Sequence, residues 1–121
     1  MPFHSSKMRA VLAQLSRVRE ADPSSRVIIF TQFVSFMDVL EPAVQKMGIR
    51  VCRLDGSMSE DARRQQIHKF QTNPLFGVFI ISLMAGGLGL NLTEANHVFL
   101  VDQWWSPSLE HQAIDRCHRL G

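Results

Sequence analysis

Cysteine is scarce and poorly placed for chemistry. Cys52 and Cys117 lie far apart and neither belongs to a Cys-x-x-Cys pair, which argues against a disulfide framework and for a reduced compartment. Cys117 adjoins His118, but neighbours on a helix point in different directions and no second ligand pair is spaced to join them, so no zinc or other metal site is expected. No apolar run approaches the ~20 residues of a membrane span. The opening Met-Pro-Phe-His-Ser-Ser-Lys lacks the apolar core of a signal peptide, so a cytosolic or nuclear protein is expected. Charge of one sign is also lacking: a net +2 is too small to argue for nucleic acid, and any DNA contact must come from local placement. There is no internal repeat, low-complexity tract or linker. What remains is 121 residues, 45% hydrophobic and 20% charged, which fit one domain with its own core.

Along the chain, helical and strand-like patterns alternate. Met8, Val11, Leu12, Leu15 and Val18 recur at helical spacing, which predicts an amphipathic helix from Lys7 to about Arg19 behind a Ser5 or Ser6 cap. Turn residues Ala21 to Ser25 end it, and Arg26-Val27-Ile28-Ile29-Phe30 has the continuous β-branched pattern of a strand buried on both faces. Phe33, Phe36, Met37, Leu40, Val44 and Met47 mark a second helical face closed by Gly48, with Pro42 expected to kink or loosen it. Arg50 to Leu54 predicts a shorter strand. From Ser59 a helix with acids first and bases later runs to Thr72-Asn73-Pro74. Gly77 to Ile81 and His97 to Val101 are two more buried strands. Such alternation predicts an α/β layered sheet with parallel pairing, whose ligands sit beyond the carboxyl ends of the strands. The residues to read for function are therefore Thr31-Gln32, Asp55-Gly56, Ser82 to Gly89, and Asp102 to Trp105.

Those stretches carry uneven signals. Ala85-Gly86-Gly87-Leu88-Gly89 can bring backbone amides close to a phosphate, or can be a tight turn; it matches neither a complete phosphate loop nor a dinucleotide fingerprint. Trp104-Trp105-Ser106-Pro107 places two large aromatics just past a strand, either packed against the core or offered to a partner. Asp55, with no second carboxylate at a matching spacing, reads as a turn residue. His4, His68, His97 and His111 have no nucleophile or ligand set to join, and no Ser/His/Asp arrangement with a nucleophile elbow is present. Near the end, Gln112, Arg116 and Arg119 share one helical sector beside an apolar sector of Leu109, Ala113, Cys117 and Leu120. Paired guanidiniums suit a transferring phosphoryl group, although any Arg-x-x-Arg taken alone reads first as a solvated basic face.

Taken in order, Val27 to Phe33, Leu54 to Ser59, Ser82 to Thr93, Val101 to Pro107 and Gln112 to Gly121 resemble the second RecA-like lobe of Swi/Snf-type ATPases, the DNA translocases of helicase superfamily two. The ending Ala-Ile-Asp-Arg-Cys-His-Arg-Leu-Gly is most similar to the repair branch that includes the helicase-like transcription factor. The resemblance implies a RecA-like three-layer α/β fold, with a central, mostly parallel sheet flanked by helices. Residues 1–121 would form one such lobe, truncated at its C-terminal end.

The resemblance also implies roles. Arg116 and Arg119 match the arginines that reach ATP phosphates as fingers, and Gln112 matches the glutamine of the same motif. Gly87 and Gly89 match the nucleotide-facing segment. Thr31, Gln32, Ser82, Ala85 and Gly86 match segments that approach the phosphates of one DNA strand, while Asp102, Trp104 and Trp105 match the element that couples the two sites. Met84 stands where the family usually has a basic residue, and Ser106 replaces the usual asparagine. The lysine-bearing phosphate loop and the Mg2+-binding acidic motif belong to the first lobe, so ATP and Mg2+ would be held mainly there and the isolated chain is expected to be inactive. The implied partners are that first lobe, double-stranded DNA and chromatin or repair proteins, in the nucleus and away from membranes. The alternative is a non-catalytic RecA-like module that binds DNA or a protein partner.

Overall fold

The computed structural model describes residues 2–83 and 94–101. In chain order the elements are α1 (Pro2–Ala21), β1 (Val27–Thr31), α2 (Val34–Lys46), β2 (Arg50–Leu54), α3 (Glu60–Thr72), β3 (Phe76–Ser82) and β4 (His97–Leu100). β1, β2 and β3 each follow a described helix, and all four strands run in the same direction. The four form one sheet in the order β2-β3-β1-β4, with every pairing parallel. This is the α/β architecture read from the alternating pattern.

Alternation along each strand divides the core in two. Val27 and Ile29 of β1, Val78 and Ile80 of β3 and Phe99 of β4 face α1 and α2, where they meet Val11, Leu15, Phe36, Met37, Leu40 and Val44. Ile28, Phe30, Cys52, Leu54, Phe79, Ile81 and Val98 turn to the other face, where α3 contributes Phe70 and the partly buried Ile67. The Phe70 and Phe79 rings meet at 5.2 Å with a 49° tilt, a favourable arrangement for two quadrupoles. Full burial of each such side chain stabilises the fold by ~1.5–3 kcal/mol.

Three local features differ from, or complete, the sequence reading. Helix α1 begins at Pro2, five residues before Lys7, so Ser5 and Ser6 lie inside it; a proline in a first turn loses no intrahelical hydrogen bond and its fixed φ suits the helix. Helix α2 runs on through Pro42, which is exposed. Its C-terminus closes as expected: Gly48 adopts φ +84° while its N–H donates to the Gln45 carbonyl at 2.9 Å. Ser59 caps α3 by accepting from the Ala62 N–H at 3.1 Å, and Glu60 and Asp61 occupy the first turn, where the helix dipole favours them.

The amino edge of the sheet is closed by Arg26. Its guanidinium donates to the carbonyls of Phe70, Asn73 and Phe76 and lies 4.0 Å from the Phe70 ring centroid. Its own backbone exchanges bonds with Asn96, so the entries to β1, β3 and β4 and the end of α3 share one knot. Close by, Gly77 leaves room for Arg19, whose Nη1 would lie 2.6 Å from any added Cβ and instead donates to the Ser25 carbonyl. Along the outer strand β2, the Arg53 N–H is covered by Gln66 Oε1 at 3.0 Å.

Candidate functional site

Parallel pairing brings the ends of all four strands to one edge, and the register decides which residues meet there. Thr31 of β1 lies opposite Ser82 of β3, while Leu54 of β2 lies opposite Ile81 and carries Asp55 to the same level. Val101 follows β4 there, its N–H donating to the Phe30 carbonyl at 2.8 Å. The edge thus presents Asp55, Ser82, Thr31 and Val101 in sheet order. Three of the residues singled out for DNA contact fall within it or beside it.

Their exposure separates them. Thr31 and Ser82 extend the inward rows of Val27-Ile29 and Val78-Ile80, and both are fully buried. Thr31 Oγ1 accepts the Phe33 N–H at 3.2 Å, so the hydroxyl shapes the turn that leads into α2. Gln32, between them, is exposed, and Leu83 is exposed just beyond Ser82. Gln32 and Leu83 therefore face outward at this edge, while the hydroxyls of Thr31 and Ser82 are enclosed behind it. Ala85, Gly86, Gly87, Gly89, Asp102, Trp104, Trp105, Gln112, Arg116 and Arg119 lie outside the described residues.

Asp55 is a turn residue, as its Asp-Gly sequence suggested. Its Oδ1 accepts the Ser57 N–H at 2.8 Å and the Ser57 hydroxyl, and its Oδ2 takes Arg53 Nε at 2.9 Å. The Ser57 bonds, opposed by burial and aided by Arg53, hold its carboxyl below the usual range.

Arg53 also reaches Asp38 at 2.8 Å and Glu41 at 3.4 Å, joining α2 to the post-β2 turn. Burial pulls its pKa down, but the three carboxylates more than offset that. Neither Arg53 nor Arg26 was assigned a role from the sequence. A lone arginine set between Cys52 and Leu54, or just ahead of Val27-Ile28-Ile29, was the available signal: a charge beside a buried strand needs partners.

Among the described residues no group of three His, Cys, Asp or Glu side chains is placed to hold a metal ion. No described helix is long and apolar enough to cross a membrane. Burial pushes the Cys52 thiol up to about 11, which leaves it a packing residue rather than a nucleophile.

Comparison with known proteins agrees with this architecture. The profile of the helicase conserved C-terminal domain matches residues 6–121. Over 120 residues the chain is 52% identical to the DNA repair protein RAD5 of Cryptococcus neoformans, covering 97% of this chain and 10% of that protein. It is 40% identical over 119 residues to the helicase-like transcription factor of Mus musculus, covering 97% of this chain and 12% of that protein. Among solved structures it resembles the C-terminal part of the Fun30 ATPase domain, with a TM-score of 0.74, 36% identity and coverage of 94% of this chain and 36% of that one. It is also similar to the C-terminal domain of a Sulfolobus solfataricus SWI2/SNF2 ATPase, with a TM-score of 0.65, 34% identity and coverage of 83% and 45%. The chain spans about a tenth of the length of the curated relatives it matches. With its parallel sheet, its ordered motifs and these likenesses, the chain belongs to the helicase conserved C-terminal domain family, as a RecA-like lobe of Swi/Snf type.

Proposed function

We propose that this chain is the second motor lobe of an ATP-dependent translocase on double-stranded DNA, within a nuclear protein of DNA repair or chromatin remodelling. The observation that carries the reading is the carboxyl edge of the sheet. There Thr31 and Ser82 stand side by side on central parallel strands, Gln32 is exposed beside them, and the chain leaves Leu83 and Val101 toward the two motif-bearing segments. In parallel α/β sheets that edge is where ligands bind.

In this reading the edge grips the phosphates of one DNA strand. Gln32 supplies an exposed amide, Thr31 and Ser82 hold the turns behind it, and Ala85 and Gly86 supply backbone donors free of bulky side chains. Such contacts to the backbone position the lobe without reading sequence, which suits a motor moving along any duplex. ATP and Mg2+ are held chiefly by a first RecA-like lobe, and cleavage of the γ-phosphate supplies the free energy. Gly87, Gly89 and Gln112 face the nucleotide, while Arg116 and Arg119 stabilise the charge that spreads over the transferring phosphoryl oxygens. Asp102, Trp104 and Trp105 link that closure to the DNA grip. The chain by itself lacks the lysine-bearing loop and does not turn over ATP.

The test is Arg119→Ala in the protein carrying both lobes. Steady-state turnover at saturating DNA should fall by ~10³ while the half-saturating DNA concentration stays within about twofold. Unchanged turnover would return Arg119 to a solvated basic face and remove the catalytic part of the reading.

A further inference from the structure

One charged group lies on an otherwise apolar stripe. Lys7 shares the α1 face of Val11, Leu15 and Val18, and it is 7% exposed. Its ammonium lies 4.9 Å from the centroid of the Phe33 ring and 4.8 Å from that of Phe36. Both distances are inside the ~6 Å over which a ring quadrupole attracts a cation, and loss of water around the pair strengthens the attraction. Phe36 is fully buried on α2, whereas Phe33 is 39% exposed. Lys7 therefore ties a fixed ring to one that stands half out of the surface.

Phe33 is also the N-cap residue of α2, and no side-chain hydrogen bond caps that helix. Its backbone N–H donates instead to Thr31 Oγ1. The turn Thr31-Gln32-Phe33 is thus held from two sides, by a hydroxyl rooted in β1 and by a cation rooted in α1. Gln32 is the exposed residue between the two restraints.

We infer that Lys7 is a positioning residue for the DNA grip: through the Phe33 ring, its ammonium holds the turn in the conformation that points Gln32 outward. The inference rests on the reading of Gln32 as a contact to the DNA backbone. Lys7 itself is too deeply placed to be that contact. Its charge, rather than its bulk, is what the turn needs, because methionine could fill the same space but offers the ring quadrupoles no cation.

The experiment titrates ATPase activity of the full-length protein with a blunt duplex oligonucleotide at several salt concentrations. Lys7→Met should raise the half-saturating DNA concentration by about fivefold, leave kcat at saturating DNA within about twofold, and be rescued by Lys7→Arg. The dependence of log half-saturation on log salt should keep its slope, since loss of a direct phosphate contact would lower that slope by ~0.9. Phe33→Leu should match Lys7→Met, and the double variant should be no worse than either.

A slope reduced by about one unit would make Lys7 a phosphate ligand and overturn the positioning role. Unchanged half-saturation in a folded Lys7→Met protein would overturn it as well. Where Lys7→Met does not fold, Phe33→Leu carries the same comparison from the exposed end of the contact. Gln32→Ala separates the inference from its premise. No change in half-saturation on Gln32→Ala removes both, whereas a rise with Gln32→Ala but none with Lys7→Met removes the role of Lys7 alone.

Discussion

The two edges of the sheet use polar groups in opposite ways. At the amino edge, Arg26 directs its guanidinium inward to three carbonyls and stacks it on Phe70. Burial lowers its pKa, and its Nε and Nη2 donate to the protein's own backbone carbonyls. At the carboxyl edge the buried hydroxyls of Thr31 and Ser82 and the ion pair of Arg53 with Asp55 sit beneath exposed Gln32, Gly56 and Ser57. Among the described residues, one edge closes the fold on itself, while the other is propped from within beneath exposed side chains. Stability and function should accordingly respond to different substitutions.

The largest expected effect tests the open edge's proposed partner in catalysis. Arg119→Ala should cost ~10³ in kcat, about 4 kcal/mol of transition-state stabilisation, with no change in the unfolding midpoint. Arg26→Met should do the reverse. It strands the carbonyls of Phe70, Asn73 and Phe76 and should destabilise by about 3 kcal/mol in urea unfolding, with turnover of the folded protein unaltered. Equal losses of stability from both variants, or of turnover from both, would erase the distinction between the edges.

Smaller effects sharpen it. Because the Asp55 carboxyl is held below its ordinary value in the folded state, its stabilisation is complete above the unfolded value of ~3.9 and is lost as pH falls through the lower folded value. Asp55→Asn should therefore flatten stability below about pH 4 and leave the neutral-pH dependence unchanged, as read from unfolding midpoints across pH. About fivefold in half-saturating DNA is expected from Lys7→Met, with its salt slope intact. Of similar size is Gly48→Ala, about 1 kcal/mol of stability, since φ +84° is strained for any residue with a Cβ even though open space surrounds that position.

Much of the fold could be read in the chain because its signals are periodic. The stripe of Val11, Leu15 and Val18, the β-branched run Val27-Ile28-Ile29 and the glycine at position 48 each report a local geometry that the tertiary structure keeps. Strand β2 coincides with its predicted span, and β1, β3 and β4 shift by a residue at their ends, where hydrogen bonding rather than hydrophobicity sets the limit. Pro42 lies inside α2, where its missing N–H removes one bond on an exposed stretch, and the buried row of Phe36, Met37, Leu40 and Val44 continues on the other side.

The polar framework was less legible. Arg26, Arg53 and Lys7 act through partners 44 to 50, 2 to 15, and 26 to 29 residues away, counted for Arg26 to Phe70, Asn73 and Phe76, for Arg53 to Asp38, Glu41 and Asp55, and for Lys7 to Phe33 and Phe36. Apart from Arg53 with Asp55, no local pattern encodes such distances. Lys7 nevertheless left a trace, because a lysine four residues before Val11 on a buried face is out of place unless aromatic or acidic groups meet it. Thr31, Gln32 and Ser82 drew notice because the expected topology placed them after strands, and their DNA role came from the resemblance alone.

The outer strand β2 has a further consequence, for self-association. An unpaired strand edge is a template on which another chain can add itself. Here the Arg53 N–H is already occupied by Gln66 Oε1, and Arg50 puts an exposed positive charge on the same strand. A second strand approaching β2 would have to evict a glutamine and bury a cation. That flank can therefore stay exposed without seeding cross-β self-assembly.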